Sequence, residues 1–275
     1  MEAATDGLRA VGIEDPRLDA EVLLAAATGI ERATLAADPR TEVAPAAARL
    51  FGEMVRRRLR REPVAYIVGR KGFRNLELAV DRRVLVPRPE TELLVELALE
   101  LAPRRLLDVG TGSGAIALAV ADELPACEIT ATDTSAPALE VARANAERLG
   151  LAERVRFLEG SLPAAGGFDL VVANLPYVAA GDWASLQPEV REWEPPEALL
   201  AGPDGLDAIR ALLADCVRRL SPRGIQATNA IGALALELGE EQAPAVAELM
   251  READFAEIET RRDLAGIERV VVGRR

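Results

Sequence analysis

The chain has 275 residues, 49% of them hydrophobic, so it can bury the core of one large α/β domain together with a small accessory domain. Its formal net charge of −12 argues against a large nucleic-acid footprint, because domains that bind phosphate backbones usually present a basic face. The chain has no histidine, and Cys127 and Cys216 lack metal-ligand spacing, so the sequence predicts no metal site and two buried, reduced thiols.

The first 75 residues predict helices. Pro16–Thr28 has helical spacing of its apolar residues and is followed by Gly29, and a second helix is predicted over 45–61. The arginine-rich run over 56–61 is interpreted as a solvated helix end, with a partner-binding patch as the alternative. The acidic N-terminus is unlike a signal peptide and the apolar runs are too short to span a bilayer, so we expect a cytoplasmic protein.

The segment that follows predicts a β-hairpin, because two alternating stretches, Leu76–Val80 and Val84–Val86, flank a polar turn. Two prolines then fix an extended approach to a helix over about 90–101. The predicted organisation is an N-terminal helical domain over 1–75, a β-hairpin linker over 76–88 and a catalytic domain over 89–275.

From Arg105 onward, predicted strands and helices alternate. The strands lie over 105–109, 128–132, 155–159, 168–173 and 234–238, and a closing antiparallel pair lies over 255–260 and 268–272. The helices lie over 115–124, 136–149, 208–220 and 243–252. This alternation predicts a Rossmann-like α/β fold, with a seven-stranded, mostly parallel sheet covered by helices on both faces.

A glycine-rich turn follows the first of these strands, at the sheet edge where open α/β folds bind ligands. The turn consists of Gly110, Thr111, Gly112, Ser113 and Gly114. Asp133 ends the next strand, 21 positions beyond Gly112, where its carboxylate can accept hydrogen bonds from both hydroxyls of a ribose. The turn also satisfies a loose dinucleotide fingerprint, but a chain with no histidine and one lysine offers a dehydrogenase few acid–base groups. We therefore interpret it as a site for S-adenosylmethionine.

The strand over 168–173 runs directly into Asn174, Leu175, Pro176 and Tyr177. An amide nitrogen is a poor nucleophile, and two acceptors can hold its N–H groups and stabilise the positive charge that develops during methylation. The Asn174 side-chain oxygen and the Leu175 main-chain carbonyl can supply them, while Tyr177 can pack on the planar group. The alternative interpretation is a turn after a strand, with Tyr177 in the core.

Several further motifs strengthen a resemblance that covers nearly the whole chain. They lie over 17–21, 62–69 with Phe73, 86–92, 188–191 with 194–195, 205–207, and 263–266 with 269–271. Together with the turn and the motif after the strand, they resemble the HemK-type release factor glutamine methyltransferases, also called PrmC.

The resemblance implies a function, a cofactor and a partner. The cofactor would be S-adenosylmethionine, and the substrate would be the glutamine of the Gly-Gly-Gln loop of class I peptide chain release factors, methylated at N5. Cofactor-binding residues would be 110–114, Asp133, Leu162 and Asn174; substrate-binding residues would be 174–177. The N-terminal helices would dock the release factor, and neither a membrane nor a nucleic-acid substrate is expected.

Three positions depart from the family pattern. Leu175 stands where the family has proline, which keeps the carbonyl but frees φ and adds an N–H. Ser161 and Leu162 stand where the family usually carries Asp followed by a large residue beside the adenine. An apparent insertion occupies 225–231. Two alternatives stay open: a ribosomal-RNA adenine N6-methyltransferase, which shares the Asn-Leu-Pro-Tyr pattern, and a cofactor-binding scaffold with a degraded catalytic motif.

Overall fold

The computed structural model describes residues 1–38, 40–163, 167–220 and 231–274. It divides into two compact units, of which unit 1 comprises Met1–Arg70 and Gln187–Trp193, and unit 2 comprises Lys71–Leu186 and Glu194–Arg275. The apparent insertion over 225–231 lies, except for its last residue, outside the described residues. Within those ranges, none of the helices combines the length and the apolar character needed to cross a membrane.

Helices and strands alternate along most of the chain. The α-helices are α1 (Glu2–Ala10), α2 (Pro16–Thr28), α3 (Arg32–Ala37), α4 (Pro45–Leu59), α5 (Val64–Val68), α6 (Glu92–Leu101), α7 (Ala115–Glu123), α8 (Ala136–Arg148), α9 (Pro188–Trp193), α10 (Asp207–Leu220) and α11 (Ala243–Glu252). The strands are β1 (Arg70–Phe73), β2 (Leu76–Ala79), β3 (Arg105–Val109), β4 (Glu128–Asp133), β5 (Val155–Glu159), β6 (Phe168–Ala173), β7 (Ile231–Glu237), β8 (Ala256–Arg262) and β9 (Glu268–Arg274).

Unit 1 is helical and has a small apolar core in which Leu8, Ile13 and Ala20 are buried. The prediction of a solvated arginine run is wrong at Arg58, which is only 6% exposed. Arg58 forms ion pairs with Asp19 of α2 and Glu189 of α9, at N–O distances of 2.7 and 2.8 Å. These carboxylates come from segments far apart in sequence, so no local pattern in α4 could have indicated them.

The hairpin forms earlier in the chain than the sequence predicts. β1 and β2 make a two-stranded sheet, so Leu76–Ala79 is its second strand and not its first. Val84–Val86, predicted to be the returning strand, is outside any strand. The main-chain groups of this stretch have other partners: Val84 N–H donates to the Asp81 carbonyl, and Val86 N–H donates to the Glu194 carboxylate.

Unit 2 contains the seven-stranded sheet that the sequence predicts, in the order β5-β4-β3-β6-β7-β9-β8. The strands from β5 to β7 are parallel, and β9 pairs antiparallel with both β7 and β8. Two clusters of buried apolar side chains belong to the sheet and the helices packed on it. This architecture confirms the predicted Rossmann-like fold of S-adenosylmethionine-dependent methyltransferases.

The order of the strands fixes where a ligand can bind. The chain builds outward from β3 through β4 to β5, then returns to place β6 on the other side of β3. In open α/β sheets, the crevice at such a reversal, beyond the carboxyl ends of the strands, is the usual ligand site. The glycine-rich turn follows β3 and the Asn174 motif follows β6, so both lie at this crevice.

Candidate active site

The glycine-rich turn is fixed to β3 by a buried carboxylate near the end of that strand. Asp108 has no exposed surface, and its Oδ2 accepts hydrogen bonds from the Thr111 hydroxyl at 2.6 Å and the Ala117 N–H at 3.2 Å. Burial raises the pKa of Asp108 to about 7, because the charged form is poorly solvated there. Asp108 thereby ties the turn to the first turn of α7.

A buried asparagine supports the same turn from α8. The Nδ2 group of Asn145 donates to the carbonyls of Ser113 at 2.9 Å and Ala79 at 3.0 Å, while its Oδ1 accepts from the Ala79 N–H at 2.7 Å. Asn145 therefore joins strand β2 to the turn. Gly114 is buried and precedes α7, where an added Cβ would lie 2.9 Å from a methyl group of Leu118.

The Asp133 carboxylate is fixed at the end of β4. Its Oδ2 accepts from the Gly112 N–H at 2.9 Å and its Oδ1 from the Ser135 N–H at 2.8 Å. Each carboxylate oxygen has a further lone pair that can accept a hydrogen bond from a ligand. Because Asp133 lines a cavity, its carboxylate can meet the hydroxyls of a ribose, as the sequence analysis predicts.

This cavity has a volume of about 390 Å³ and is formed entirely by unit 2. The predicted site residues that line it are Gly110, Thr111, Gly112, Ser113, Asp133, Asn174, Leu175 and Pro176. The size is within the usual range of sites for small molecules and cofactors. A glycine-rich turn, a fixed carboxylate and a cavity of this size together fit an adenosine-containing cofactor.

The motif after β6 lies directly against the glycine-rich turn. Gly110 has φ of +75°, and a Cβ at this position would lie 3.2 Å from Leu175 Cδ2 and 3.5 Å from the Asn174 carbonyl oxygen. A side chain here would be strained by the backbone conformation and would crowd the motif. The turn predicted to bind the cofactor and the motif predicted to bind the substrate are therefore neighbours.

The Asn174 side chain is oriented by one hydrogen bond. Its Nδ2 donates to the hydroxyl of Thr91 at 3.0 Å. Among the described residues, no donor bonds Asn174 Oδ1 or the Leu175 carbonyl. These are the two acceptors that the sequence analysis assigns to the substrate nitrogen, and both residues line the cavity. Their role in catalysis stays a prediction.

Tyr177 is held by the segment after β7. Its carbonyl accepts a hydrogen bond from Gln242 Nε2 at 3.0 Å, and Gln242 Oε1 accepts from the Gly239 N–H at 2.9 Å. Burial raises the pKa of the Tyr177 phenol to about 12, so the hydroxyl is neutral at physiological pH. Gly205 has φ of +77°, and an added Cβ there would collide with the Tyr177 carbonyl oxygen. The predicted packing of Tyr177 on the substrate amide remains untested.

Leu162 packs with the apolar cluster that contains Leu107, Val109 and Val171. The neighbouring Gly160 and Ser161 line the cavity. The assignment of Leu162 to the cofactor therefore stays a prediction, and these neighbours are further candidates for contact with it.

A loop over 83–91 contributes residues to the cavity wall. It is anchored by Glu194, which is only 3% exposed and bonds Arg88 at 2.6 Å and the Val86 N–H at 3.3 Å. Burial raises the pKa of Glu194, while the neighbouring Arg88 lowers it. The conformation of this loop thus depends on a carboxylate that follows α9, more than 100 residues away.

Sequence reasoning gave no supporting role to Asp108, Thr91 or Glu237. One signal was present for two of them: Asp108 and Glu237 are ionisable residues at or near the carboxyl ends of otherwise apolar strands. In a parallel sheet such positions lie at the ligand-binding edge. Thr91 lies in the motif over 86–92, which is one of the motifs that carry the family resemblance.

Two family descriptions match the chain. Residues 1–69 match the PrmC N-terminal domain, and residues 89–187 match the methyltransferase small domain. Proteins named release factor glutamine methyltransferase are similar along nearly the whole length. The one from Caulobacter vibrioides is 42% identical over 98% of this chain and 93% of its own, and that from Deinococcus radiodurans is 42% identical over 100% and 97%.

Solved structures with lower sequence identity share the fold of a large part of this chain. The hMettl16 catalytic domain in complex with MAT2A 3'UTR hairpin 6 matches with a TM-score of 0.58 at 15% identity, over 72% of this chain and 74% of its own. A methyltransferase from Pyrococcus furiosus matches with a TM-score of 0.51 at 17% identity, over 72% of this chain and 88% of its own. At these identities the likeness concerns the fold alone.

Proposed function

Because the chain belongs to the family of release factor glutamine methyltransferases, we propose that it methylates the glutamine of the Gly-Gly-Gln motif of class I peptide chain release factors. The reaction is an S-adenosylmethionine-dependent transfer to N5 of the glutamine side chain. The observation that carries the proposal is the orientation of Asn174, whose Nδ2 is engaged by Thr91 and whose Oδ1 is left to accept a hydrogen bond from a substrate.

The cofactor site follows from the wall of the cavity. Asp133 would accept hydrogen bonds from the ribose hydroxyls, and the glycine-rich turn over 110–114 would allow the backbone to approach the rest of the cofactor closely. Leu162 and Asn174 complete the proposed set. When bound, S-adenosylmethionine supplies an activated methyl group on a sulfonium.

The chain's own residues have a positioning and electrostatic role in this proposal. Asn174 Oδ1 and the Leu175 carbonyl accept the two N–H groups of the glutamine amide, which turns the nitrogen lone pair toward the methyl donor. As positive charge develops on nitrogen, both oxygens stabilise it. The methylated nitrogen then loses one proton to solvent, which leaves a neutral N-methyl amide. Pro176 restricts the backbone that follows, and Tyr177 packs on the flat amide.

The N-terminal helices over 1–75 are proposed to dock the release factor, with 76–88 as linker and 89–275 as the catalytic domain. The match of residues 1–69 to the PrmC N-terminal domain supports a separate role for this part. No nucleic acid is proposed as a direct substrate, in keeping with the net charge of −12. Because release factors act where proteins are synthesised, we place the enzyme in the cytoplasm.

A labelling experiment tests the proposal. With radiolabelled S-adenosylmethionine, the purified enzyme should label a class I release factor and leave ribosomal RNA unlabelled. Replacing the target glutamine by glutamate should abolish the label, because the accepting nitrogen is gone. Label on RNA alone would favour the adenine methyltransferase alternative, and absence of label from both would favour a cofactor-binding scaffold.

A further inference from the structure

Two buried polar groups lie behind Asn174. Asn174 Nδ2 donates to the Thr91 hydroxyl at 3.0 Å, and the Thr91 hydroxyl is near enough to the Glu237 carboxyl group to lower its pKa. Ala173 of β6 and Leu236 of β7 are aligned in the sheet. Asn174 directly follows the first of them in sequence, and Glu237 directly follows the second. Thr91 is 4% exposed and Glu237 is 2% exposed, so water has little access to compete for hydrogen bonds to these two groups.

The numbers of donors and acceptors on the three groups determine the direction in which hydrogen bonds between them can run. A threonine hydroxyl has one hydrogen to donate, and an ionised carboxylate can only accept. Among the described residues, Glu237 Oε2 is buried and has no hydrogen-bond partner. A Thr91 hydrogen directed to Glu237 would supply one and would leave the hydroxyl lone pairs facing Asn174. Only the amide NH₂ of Asn174 can satisfy that arrangement, so its carbonyl oxygen must point elsewhere, and Asn174 itself lines the cavity.

The charged groups around Glu237 affect whether its carboxyl group is protonated. The ionisable groups that face it are Glu90, Arg88, Arg269 and Tyr177. Burial and the negative charge of Glu90 raise the pKa of Glu237, while the Thr91 hydroxyl and the two arginines lower it, to give a pKa of about 7. Above this value Glu237 is an acceptor, and below it the protonated carboxyl can donate to Thr91.

We propose that Thr91 and Glu237 are positioning residues for Asn174: they bind its NH₂ group in a one-way hydrogen-bonded chain, so that its carbonyl oxygen is presented to the substrate. The proposal rests on the function proposed above and adds the groups that set its selectivity. With two oxygens facing the substrate, the site accepts the N–H groups of a glutamine and repels a glutamate carboxylate. If the Asn174 amide were free to turn over, its NH₂ could bind that carboxylate.

The test measures binding of two release factors, one with the natural glutamine and one with glutamate at the same position, each in the presence of S-adenosylhomocysteine so that no reaction occurs. For the unaltered enzyme we expect clearly tighter binding of the glutamine form. Thr91→Val keeps the shape and removes the hydroxyl, and we expect the preference for glutamine to fall by about tenfold. Thr91→Ser keeps the hydroxyl and should retain the preference to within about threefold.

Matched variants separate positioning from damage to the fold. Thr260→Val, at an exposed residue of the edge strand β8, should leave the preference unchanged. Affinity for S-adenosylhomocysteine should be the same in all variants, because neither Thr91 nor Glu237 is proposed to bind it. A preference that is equal in Thr91→Val and in the unaltered enzyme would overturn the proposal.

Glu237→Gln gives an independent test, because a glutamine can donate as well as accept and so leaves the direction unset. The preference should be reduced in this variant at every pH, with Glu240→Gln, at an exposed neighbour, as the control. In the unaltered enzyme the preference should decline from about pH 8 to about pH 6, as Glu237 gains its proton, while the glutamate of the ligand stays ionised. A preference that is independent of pH and of Glu237→Gln would contradict the inference.

Failure of the inference and failure of the proposed function give different results. If the unaltered enzyme methylates the release factor and prefers glutamine, but the variants behave like it, only the positioning roles of Thr91 and Glu237 are wrong. If the unaltered enzyme shows neither methylation nor a preference for glutamine, the proposed function itself fails.

Discussion

At the scale of single residues, the account depends most on Asn174. Its Nδ2 is held by Thr91, and its Oδ1 is the acceptor proposed for the substrate amide. Asn174→Ala should lower kcat by ~10²–10³, the usual loss when one well-placed polar stabiliser is removed. Affinity for the cofactor should change much less, because Asp133 and the glycine-rich turn remain.

Steady-state kinetics with a release factor and calorimetry with S-adenosylhomocysteine check this prediction. Asn75→Ala, at an exposed residue of the hairpin turn, is the matched control. A change in kcat below about threefold would contradict the role given to Asn174.

Leu175 tests whether the main-chain carbonyl of the motif is what matters. Leu175→Pro keeps that carbonyl and restricts φ, as in the pattern that the family resemblance implies. We expect kcat to be unchanged or raised, measured on the same release factor. Inactivation of a variant that still folds and binds cofactor would show that this chain uses a different loop geometry.

The residues proposed to act on ligands could be named from the sequence, whereas those that hold them in place could not. Asn174 and Asp133 could be predicted because each follows a recognisable strand that ends at the ligand-binding edge. Asn145 could not, since the groups that it ties together are backbone groups of Ser113 and Ala79, from a turn and a strand that lie 32 and 66 positions away. Nothing in its local pattern distinguishes it from a solvated helix residue.

At the scale of elements, the support of the Asn174 motif by the chain before α10 can be tested at Gly205. Gly205 and Gly150 have similar φ values, +77° and +72°, but an added Cβ would collide with the Tyr177 carbonyl oxygen only at Gly205. Gly150→Ala should cost about 1–2 kcal/mol for the left-handed backbone. Gly205→Ala should cost about 1–3 kcal/mol more from the collision and should also lower activity.

Chemical unfolding of the two glycine variants separates the cost of the left-handed backbone from the cost of the collision with Tyr177, because only the first is common to both variants. Equal losses of unfolding free energy in Gly150→Ala and Gly205→Ala would mean that Tyr177 does not pack against Gly205 as described.

The ion-pair cluster of unit 1 is the second prediction at this scale. Arg58 is paired with Asp19 and Glu189, all with less than a fifth of their side-chain surface exposed. Arg58→Ala would leave both carboxylates without this partner, and the loss of one member of a buried pair typically costs about 3–5 kcal/mol. Arg56→Ala, at an exposed residue of the same helix, should have almost no effect. Equal unfolding midpoints for the two variants would contradict a structural role for Arg58.

Elements differed in how well their sequence patterns predicted them, for identifiable reasons. The predicted bounds of α2 agree with the structure because Pro16 and Gly29 mark its two ends locally. The hairpin was misplaced because Val84–Val86 alternates like a strand, while its main chain bonds Asp81 and Glu194 instead of another strand. Strand β1, with the sequence Arg-Lys-Gly-Phe, has little strand character of its own and is defined by pairing with β2.

At the scale of the whole molecule, the strand order brings together segments that are distant in sequence. The glycine-rich turn, Asp133 and Asn174 lie at the ends of three different strands, yet all three contribute to the wall of one cavity of about 390 Å³. The alternating pattern predicted the fold class and the edge at which these residues meet. The depth and outline of the cavity could not be predicted, because they depend on the loop over 83–91 and on α10, whose positions are set by contacts distant in sequence.

The central claim is that the accepting atom is the amide nitrogen of one glutamine in a release factor. Mass spectrometry of the peptide containing Gly-Gly-Gln, after incubation of a release factor with the enzyme and S-adenosylmethionine, tests it most directly. The account predicts one added methyl group, located by fragmentation on the glutamine side chain and strongly reduced with the Asn174→Ala enzyme after the same incubation time. An unmodified glutamine, or a methyl group on any other residue, would contradict the account.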